Sequence, residues 1–230
     1  LNDQLSQEGL TGKYGLKSGY TLQQSVDKDL LSDALSHRIQ IRTVAASDAR
    51  MGGAAFPAMT NSGSGNQGIA ATEPVTVVAD SLGVTPERRL RALALSSMVA
   101  IYAHGYLPKL SAFCATVTAS MGAAAGMAWL LAEKDPLQVI EKALATMSGS
   151  IVGMVCDGAA NSCSMKVSAS VHAAYEAVLL ALNDVRVQGT DGLVANAAEE
   201  CLKNVGLLAS RGMQQTDDEI LKIMLQKNKA

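Results

Sequence analysis

Aromatic residues are scarce in this 230-residue chain: one Trp, two Phe and five Tyr make up 3% of it. Strands favour aromatic and β-branched side chains, so a β-sandwich is a poor fit to this composition. Charged residues account for only 17% and hydrophobic residues for 48%, which excludes an intrinsically disordered chain. The core must therefore be built from Ala, Leu, Val, Met and Gly, which suits helices at close approach.

An excess of charge of either sign is also absent. The chain has 19 basic and 21 acidic residues and a net charge of −2, so no global field attracts nucleic acid. Binding of single strands without sequence preference would need aromatic side chains along a basic groove, and neither is evident. We therefore expect no nucleic-acid partner.

A secretory signal is lacking as well, because the N-terminus has no basic segment followed by an apolar stretch. The chain has no initiator Met either, and we interpret Leu1 as the start of a processed or truncated product. Residues 111–132 form an uncharged run nominally long enough to span a bilayer. Their mostly small side chains contribute little insertion energy, which favours a buried central helix. We expect a cytoplasmic protein with no membrane partner.

Apolar residues recur at three- and four-residue steps through most of the chain, and that spacing predicts helices. The first such pattern starts near Thr21, includes Leu30 and Ile39, and ends at a pair of glycines, so we predict one helix there. Further helices are predicted at residues 69–82, 85–105, 111–133, 135–147, 164–183, 195–209 and 217–226. The last of these has a capping box, Thr216 with Glu219.

No alternating strands and no repeating βα unit are evident. The predicted fold class is all-α: a compact multi-helix bundle with a buried Ala/Gly-rich central helix and Gly-rich connecting loops. Residues 1–20 are polar and Gly-rich and are predicted to form a loosely packed N-terminal segment. Residues 21–230 are predicted to form the helical domain.

Residues 60–68, TNSGSGNQG, consist only of small, hydroxyl and amide residues, and a predicted helix begins directly after them. Glycines let backbone N–H groups turn inward, and a helix N-terminus adds positive potential, so this stretch could hold a carboxylate or a phosphate. The alternative is a flexible surface loop. The candidate substrate-binding residues are Asn61, Ser62, Gly63, Ser64, Gly65, Asn66 and Gln67.

Three cysteines form a candidate metal site. Cys156 and Cys163 bracket a short turn, and Cys114 lies in a different predicted helix. This spacing is a weak signal for zinc, whereas three thiolates with an open position fit an iron–sulfur cluster. The alternative is that each cysteine is a small buried residue. Cys201 lies in an ordinary helical pattern, which indicates core packing.

Ionisable residues accompany these features: Asp48 and Arg50, His104 and Lys109, and Asp157 and Lys166. Each alone is typical of a solvated or capping charge, but near Gly-rich turns they become candidates for acid–base work. Lys166 lies about one helical turn after Cys163, so both side chains are predicted to share a face. We take Lys166, His104 and Asp48 as the candidate catalytic residues, with Lys166 binding a carboxylate rather than acting as the base.

The motifs SDARMGG and MTNSGSGNQGIAAT, the Cys114 helix and VCDGAANSCSMKVS together resemble the C-terminal half of the bacterial L-cysteine desulfidases, relatives of the alpha chain of iron–sulfur L-serine dehydratases. The resemblance spans essentially the whole chain. It implies a mainly helical fold and a [4Fe–4S] cluster held by Cys114, Cys156 and Cys163. Members of this family are longer, and a Gly-Cys-Thr-Glu-Pro segment in their N-terminal half is absent here. The missing N-terminal half is therefore an expected partner.

The resemblance implies β-elimination from a small amino acid: L-cysteine would yield pyruvate, ammonia and sulfide. L-serine deamination at the same site is an alternative, and so is a non-catalytic helical domain that binds a small anion or a partner. A pyridoxal phosphate enzyme is a further alternative, although such enzymes are α/β with an upstream Schiff-base lysine. A homodimer is left open.

Overall fold

The computed structural model describes residues 1–227 and, within them, shows helices joined by loops and no strand. The all-α prediction is confirmed. The ten α-helices are α1 (Asn2–Gly9), α2 (Ser18–Asp27), α3 (Leu35–Met51), α4 (Gly65–Leu82), α5 (Pro86–His104), α6 (Thr116–Leu131), α7 (Pro136–Ser150), α8 (Cys163–Leu182), α9 (Ala198–Leu207) and α10 (Gln214–Lys227). A π-helical turn, Leu208–Gly212, lies between the last two.

Proline and a preceding cap residue define two of these helix starts. The Thr85 hydroxyl accepts a hydrogen bond from the Arg88 N–H at 3.3 Å, and α5 begins at Pro86 between them. The Asp135 carboxylate caps α7 in the same way, directly before Pro136. Proline suits this position because its missing N–H would have no helical partner there.

Helix α6 lies at the centre of the bundle and is almost entirely buried. At Gly122 a Cβ atom would lie 2.3 Å from the Ser96 carbonyl oxygen, and at Gly126 one would lie 2.7 Å from Val75 Cγ2. Glycine therefore lets α5 and α4 approach α6 closely. The predicted buried central helix is confirmed, although residues 111–115 precede α6 as a non-helical segment.

The predicted single helix from Thr21 onward is wrong. Helix α2 ends at Asp27 and α3 begins at Leu35, with Leu30 75% exposed in the connection. Asp29 adopts a positive φ of 56°, a conformation that a right-handed helix cannot contain. The apolar spacing therefore continues across a real break in the chain.

Other boundaries also differ from those predicted. Helix α4 begins at Gly65, so the last part of the Gly-rich stretch is its first turn. Helix α10 begins at Gln214, which places Thr216 inside the helix rather than at its cap.

The N-terminal segment is packed more closely than its polar sequence predicts. Residues 2–9 form α1, and the Leu5 side chain is fully buried. A Cβ atom at Gly9 would lie 1.9 Å from the Ala45 carbonyl oxygen, so α1 lies directly against α3. The boundary of the helical domain at residue 21 stays a prediction.

A search of the described residues for membrane spans finds no helix with the length and apolar character that crossing a bilayer requires.

Candidate functional site

The predicted cysteines and part of the Gly-rich stretch line one cleft of about 320 Å³, which we call the cysteine cleft. Its walls come from the end of α3, the start of α4, the segment leading into α6 and the loop leading into α8. The lining residues that matter below are Arg50, Ser64, Asn66, Gln67, Cys114, Thr116, Cys156, Cys163 and Lys166. Residues distant in sequence are thus brought together at one place.

Three helix N-termini meet at this cleft. Ser64 directly precedes α4, Thr116 is the first residue of α6, and Cys163 is the first residue of α8. The first N–H groups of a helix have no intrahelical partner, and the helix dipole places positive potential there. The cleft therefore favours anions, whether thiolates of the protein or a bound carboxylate.

Backbone hydrogen bonds pair the two segments that carry Cys114 and Cys156, on either side of the antiparallel bridge between Phe113 and Val155. The Cys114 N–H donates to the Met154 carbonyl at 3.0 Å, and the Cys156 N–H donates to the Ala112 carbonyl at 2.6 Å. Cys163 follows as the first residue of α8, and its Sγ lies 3.4 Å from the Gly158 carbonyl oxygen in the loop before that helix. Cys114 is buried, Cys156 and Cys163 are half-buried, and all three are free thiols.

The Cys114 thiol is the least exposed of the three. Burial raises its pKa above the ordinary value, while a hydrogen bond from the Thr116 hydroxyl and the charge of Lys166 act in the opposite direction. The two atoms of that bond, Cys114 Sγ and Thr116 Oγ1, are 3.0 Å apart. Thr116 thus favours the thiolate form.

The Gly-rich stretch divides into two parts. Asn61 and Ser64 exchange backbone hydrogen bonds of 3.1 and 3.0 Å, and the two residues between them, Ser62 and Gly63, both have positive φ. This is the backbone pattern of a type I′ turn. Asn61 Nδ2 donates to the Ser97 carbonyl instead of reaching the cleft. Residues 61–63 therefore form the turn, and the cleft is lined only from Ser64 onward.

The second part of the stretch supplies buried amides. Asn66 and Gln67 are 6% and 8% exposed, and both line the cleft. Asn66 Oδ1 accepts a hydrogen bond of 3.3 Å from the Ser47 hydroxyl. The Gln67 side chain makes no hydrogen bond within residues 1–227, which leaves its polar atoms for a bound molecule.

Lys166 lies on the α8 wall and pairs with a neighbour. Its ammonium group donates a hydrogen bond to the Asp157 carboxylate. Burial opposes the charge of Lys166, but Asp157 together with the thiols of Cys114 and Cys163 outweighs it and raises the Lys166 pKa. Lys166 and Cys163 line the same cleft, as their spacing predicts.

Asp48 and His104 do not line the cysteine cleft. Asp48 is fully buried and its Oδ2 accepts a hydrogen bond of 3.0 Å from the Gly19 N–H. Burial raises the Asp48 pKa, and burial lowers that of His104. Asp48 thus anchors the first turn of α2, and His104 lies at the last turn of α5.

Sequence reasoning missed two residues of the cleft. Thr116 was detectable as a hydroxyl two positions after Cys114, but the helix predicted from residue 111 placed it inside that helix rather than at its start. Arg50 was grouped with the acid–base candidates but was not chosen as a site residue, because its position depends on how α3 packs against α4. Cys201 is fully buried with Ala145 and Val194, which confirms core packing.

The donor set of the cleft can be compared with the iron–sulfur cluster implied by the sequence. Three free thiols line the cleft, with no imidazole or carboxylate among the lining side chains. Thiolates are the ligands that such clusters use, each on its own iron. Within residues 1–227, no three potential ligands lie close enough to hold a single metal ion. The donor chemistry fits a cluster, whose ligands stand farther apart than those of one ion.

Fold and cleft together define an all-α protein with a thiol-lined, anion-favouring site. Residues 1–222 match the family model described as the serine dehydratase alpha chain. The chain therefore belongs to the serine dehydratase alpha chain family. This family is associated with lyases, which agrees with an all-α protein that has a thiol-lined, anion-favouring site. The all-α fold also argues against the pyridoxal phosphate alternative, which belongs to α/β enzymes.

Similar curated proteins include the UPF0597 protein YhaM of Escherichia coli strains K12, O139:H28 (E24377A / ETEC) and O157:H7 (EC4115 / EHEC). Each is 56% identical over 227 residues, which are 99% of this chain and 52% of the relative. The chain thus spans about half the length of the curated relatives it matches. No solved structure matches it.

Proposed function

We propose that this chain is the cluster-bearing part of a lyase that eliminates the β-substituent of a small L-amino acid. The proposed substrate is L-cysteine: loss of the Cα proton and of sulfide leaves an enamine, which water then hydrolyses to pyruvate and ammonia. The observation that carries the proposal is the meeting of three free thiols and three helix N-termini in one cleft. Soft metal ligands and an anion site at one place are what a metal-assisted elimination from an α-amino acid requires.

Cys114, Cys156 and Cys163 are the residues that would hold a [4Fe–4S] cluster. With three protein ligands, such a cluster supplies one Lewis-acidic iron that can stabilise negative charge on a leaving sulfur. Lys166 and Thr116 favour the thiolate form of Cys114, through charge and a hydrogen bond. The proposal does not require any further metal ligand from the described residues.

The protein groups around the thiols would orient the substrate. The N-terminus of α4, with Asn66 and Gln67 in its first turn, offers donors to the α-carboxylate. The burial of both amides limits competition from water. Fixing the carboxylate in this way would hold the β-carbon and its substituent toward the thiols.

Elimination also needs a base that takes the Cα proton. The two remaining sequence candidates, Asp48 and His104, lie outside the cysteine cleft. Asp48 already accepts a hydrogen bond from a backbone N–H in a buried position. We therefore assign the base to the part of the full-length protein that this chain does not include.

L-serine is the second candidate substrate, because the family to which the chain belongs is described as the serine dehydratase alpha chain. The same cleft would bind its carboxylate, and the leaving group would be hydroxide rather than sulfide. The two substrates therefore differ only at the group that meets the cluster.

The test is anaerobic iron–sulfur reconstitution of this chain and of a full-length protein that contains it. Sulfide release from L-cysteine is then compared with ammonia release from L-serine. Iron content is measured for Cys114→Ser, Cys156→Ser and Cys163→Ser, with Cys201→Ser as the matched control. We expect the first three variants to lose iron and the control to retain it. Equal iron in all four variants would contradict the assignment of the ligands.

A further inference from the structure

We propose that Arg50 is the residue that binds the α-carboxylate of the substrate, with Gln67 and Asn66 completing the carboxylate site. This inference rests on the proposed function, because it names the group that selects the substrate class at the same cleft. Arg50 belongs to the last turn of α3 and lines the cysteine cleft.

The guanidinium of Arg50 has no acidic partner within residues 1–227. Its hydrogen bond runs from Nη1 to Met51 Sδ, at 3.1 Å, and a thioether is only a weak acceptor. Lys166, the other cation of the cleft, is already paired with Asp157. Arg50 is therefore the cation of this cleft whose charge and donors are left for a bound anion.

The position of Arg50 is unfavourable unless an anion joins it. A Cβ atom at Gly65 would lie 2.2 Å from Arg50 Nε, so the side chain passes directly over the first residue of α4. That is the positive end of the helix, where a cation is repelled and an anion is attracted. Only glycine at this position leaves room for the guanidinium, and a carboxylate would be attracted by both the helix and Arg50.

Two buried amides complete the site. Gln67 is more than nine-tenths buried, lines the cleft and makes no side-chain hydrogen bond within the described residues. Because Gln67 lines the cleft, its amide can donate a hydrogen bond to a ligand that binds there. Asn66 commits Oδ1 to the Ser47 hydroxyl, which leaves its Nδ2 as a donor. Donors thus dominate the site, and they match an acceptor ligand.

The chemistry of these groups selects a substrate class. A guanidinium binds a carboxylate through two parallel hydrogen bonds, and neither an ester nor an amine can accept this pair of bonds. No acidic side chain lines the cleft to attract a cation instead. The site would therefore take small α-carboxylates with a thiol or hydroxyl on the β-carbon, and would reject cysteamine and cysteine methyl ester.

The test uses the reduced chain without a cluster and two alkylating probes of the same size. Iodoacetate carries a carboxylate, whereas iodoacetamide is neutral. In both reactions a thiolate forms an S–C bond and iodide leaves as the C–I bond breaks. Mass spectrometry gives the rate at Cys156 and Cys163, and the ratio of the two rates reports the local charge, because the thiolate fraction is common to both probes.

Arg50→Met is expected to lower the iodoacetate-to-iodoacetamide ratio about three- to tenfold, since one nearby positive charge is lost. Arg50→Lys should keep much of the ratio. Arg91→Met is the matched control: Arg91 is exposed on α5 and pairs with Glu87, so its loss should leave the ratio unchanged.

Gly65→Ala supplies a second variant that retains the charge. Alanine is well tolerated in a helix, but its Cβ would displace the Arg50 side chain from the N-terminus of α4. The ratio should fall in this variant too. An unchanged ratio in a folded Arg50→Met protein, or in Gly65→Ala if the former does not fold, would overturn the proposal.

This readout is separate from the elimination reaction. If the ratio falls in Arg50→Met while the reconstituted full-length protein eliminates neither substrate, the carboxylate site stands and the proposed reaction fails. If elimination occurs and the ratio does not change, the reaction stands and Arg50 is not its carboxylate ligand.

Discussion

Thr116 Oγ1 lies 3.0 Å from Cys114 Sγ, inside the first turn of α6. The same hydroxyl lies 3.2 Å from Ser170 Oγ on α8, so its position is fixed from two sides. Burial raises the Cys114 pKa, and the Thr116 bond is the largest of the contributions that lower it. The Thr116 hydroxyl thus offsets part of the effect of burial on the pKa of the most buried thiol of the cleft.

Thr116→Val is expected to raise the Cys114 pKa further, because valine keeps the shape of threonine and removes the hydrogen bond to the thiolate. The measurement is the pH dependence of Cys114 alkylation by iodoacetamide, whose midpoint should move upward. Thr76→Val is the control, since the Thr76 hydroxyl bonds only to a carbonyl within α4. A midpoint that is the same in Thr116→Val and the unmodified chain would contradict this role.

Gly68→Ala should destabilise the chain by about 1–3 kcal/mol. A Cβ atom at Gly68 would lie 1.9 Å from the Met59 carbonyl oxygen, and backbone cannot move aside as a flexible side chain can. Urea unfolding gives the free energy of unfolding. Gly153→Ala is the matched control, because a Cβ there meets nothing within 4 Å, and its stability should change little. Equal stability of the two variants would show that residue 59 relaxes freely.

The buried carboxyl group of Glu73 is expected to make the stability of the chain depend on pH. Its side chain is 1% exposed, and burial raises its pKa to about 7, against the opposing charge of Arg42, whose Nη2 lies 3.0 Å from Oε1. The folded state therefore keeps a proton on Glu73 that the unfolded state releases above about pH 4.5. The stabilising contribution of Glu73 to the free energy of unfolding is therefore fully present below that pH. It decreases as the pH rises toward 7, and the total loss is up to about 3 kcal/mol.

Glu73→Gln should remove most of this slope, since glutamine does not ionise. The free energy of unfolding is measured between pH 5 and pH 8. As the pH rises, the free energy of unfolding of the variant should increase relative to that of the unmodified chain. Glu87→Gln is the control, because Glu87 is exposed and its loss should leave the slope as it was. If the pH dependence of the free energy of unfolding persists in Glu73→Gln, it arises from other groups.

Two helix starts were predictable because proline and capping residues act locally. Helices α5 and α7 begin at Pro86 and Pro136, directly after the cap residues that the sequence indicates. The break between α2 and α3 was not predictable from periodicity. It depends on the positive φ of Asp29, which the surrounding packing selects and the spacing of apolar residues does not record.

The chemistry-bearing residue types of the cleft were recognisable in the sequence, but their geometry was not. Amides, glycines and cysteines mark the stretches that the structure brings together. Which members of the Gly-rich stretch face the cleft depends on the turn at Ser62 and Gly63, which leaves Asn61 bonded to α5. The place of Arg50 depends on the contact between α3 and α4, which no local pattern encodes.

Asn66→Ala should weaken binding of the substrate and leave the cluster intact, if the start of α4 holds the carboxylate as proposed. Asn66 lines the cleft but is not one of the cysteines that would bind iron, so the iron content and the visible absorbance should not change. The measurement pairs the Michaelis constant of the reconstituted full-length protein with its iron content. Loss of iron in parallel with loss of binding would show that Asn66 has a structural role instead.

Substitutions of Lys166 and of Asp157 are expected to shift the Cys114 pKa in opposite directions. The Lys166 ammonium pairs with Asp157 and lowers the pKa of Cys114 through its charge. Lys166→Met removes that charge and should raise the Cys114 pKa, slowing alkylation and weakening iron retention. Asp157→Asn leaves the Lys166 charge without its neutralising partner and should lower the same pKa. Alkylation rates measured across pH would then move in opposite directions, whereas a purely structural pair would shift both variants the same way.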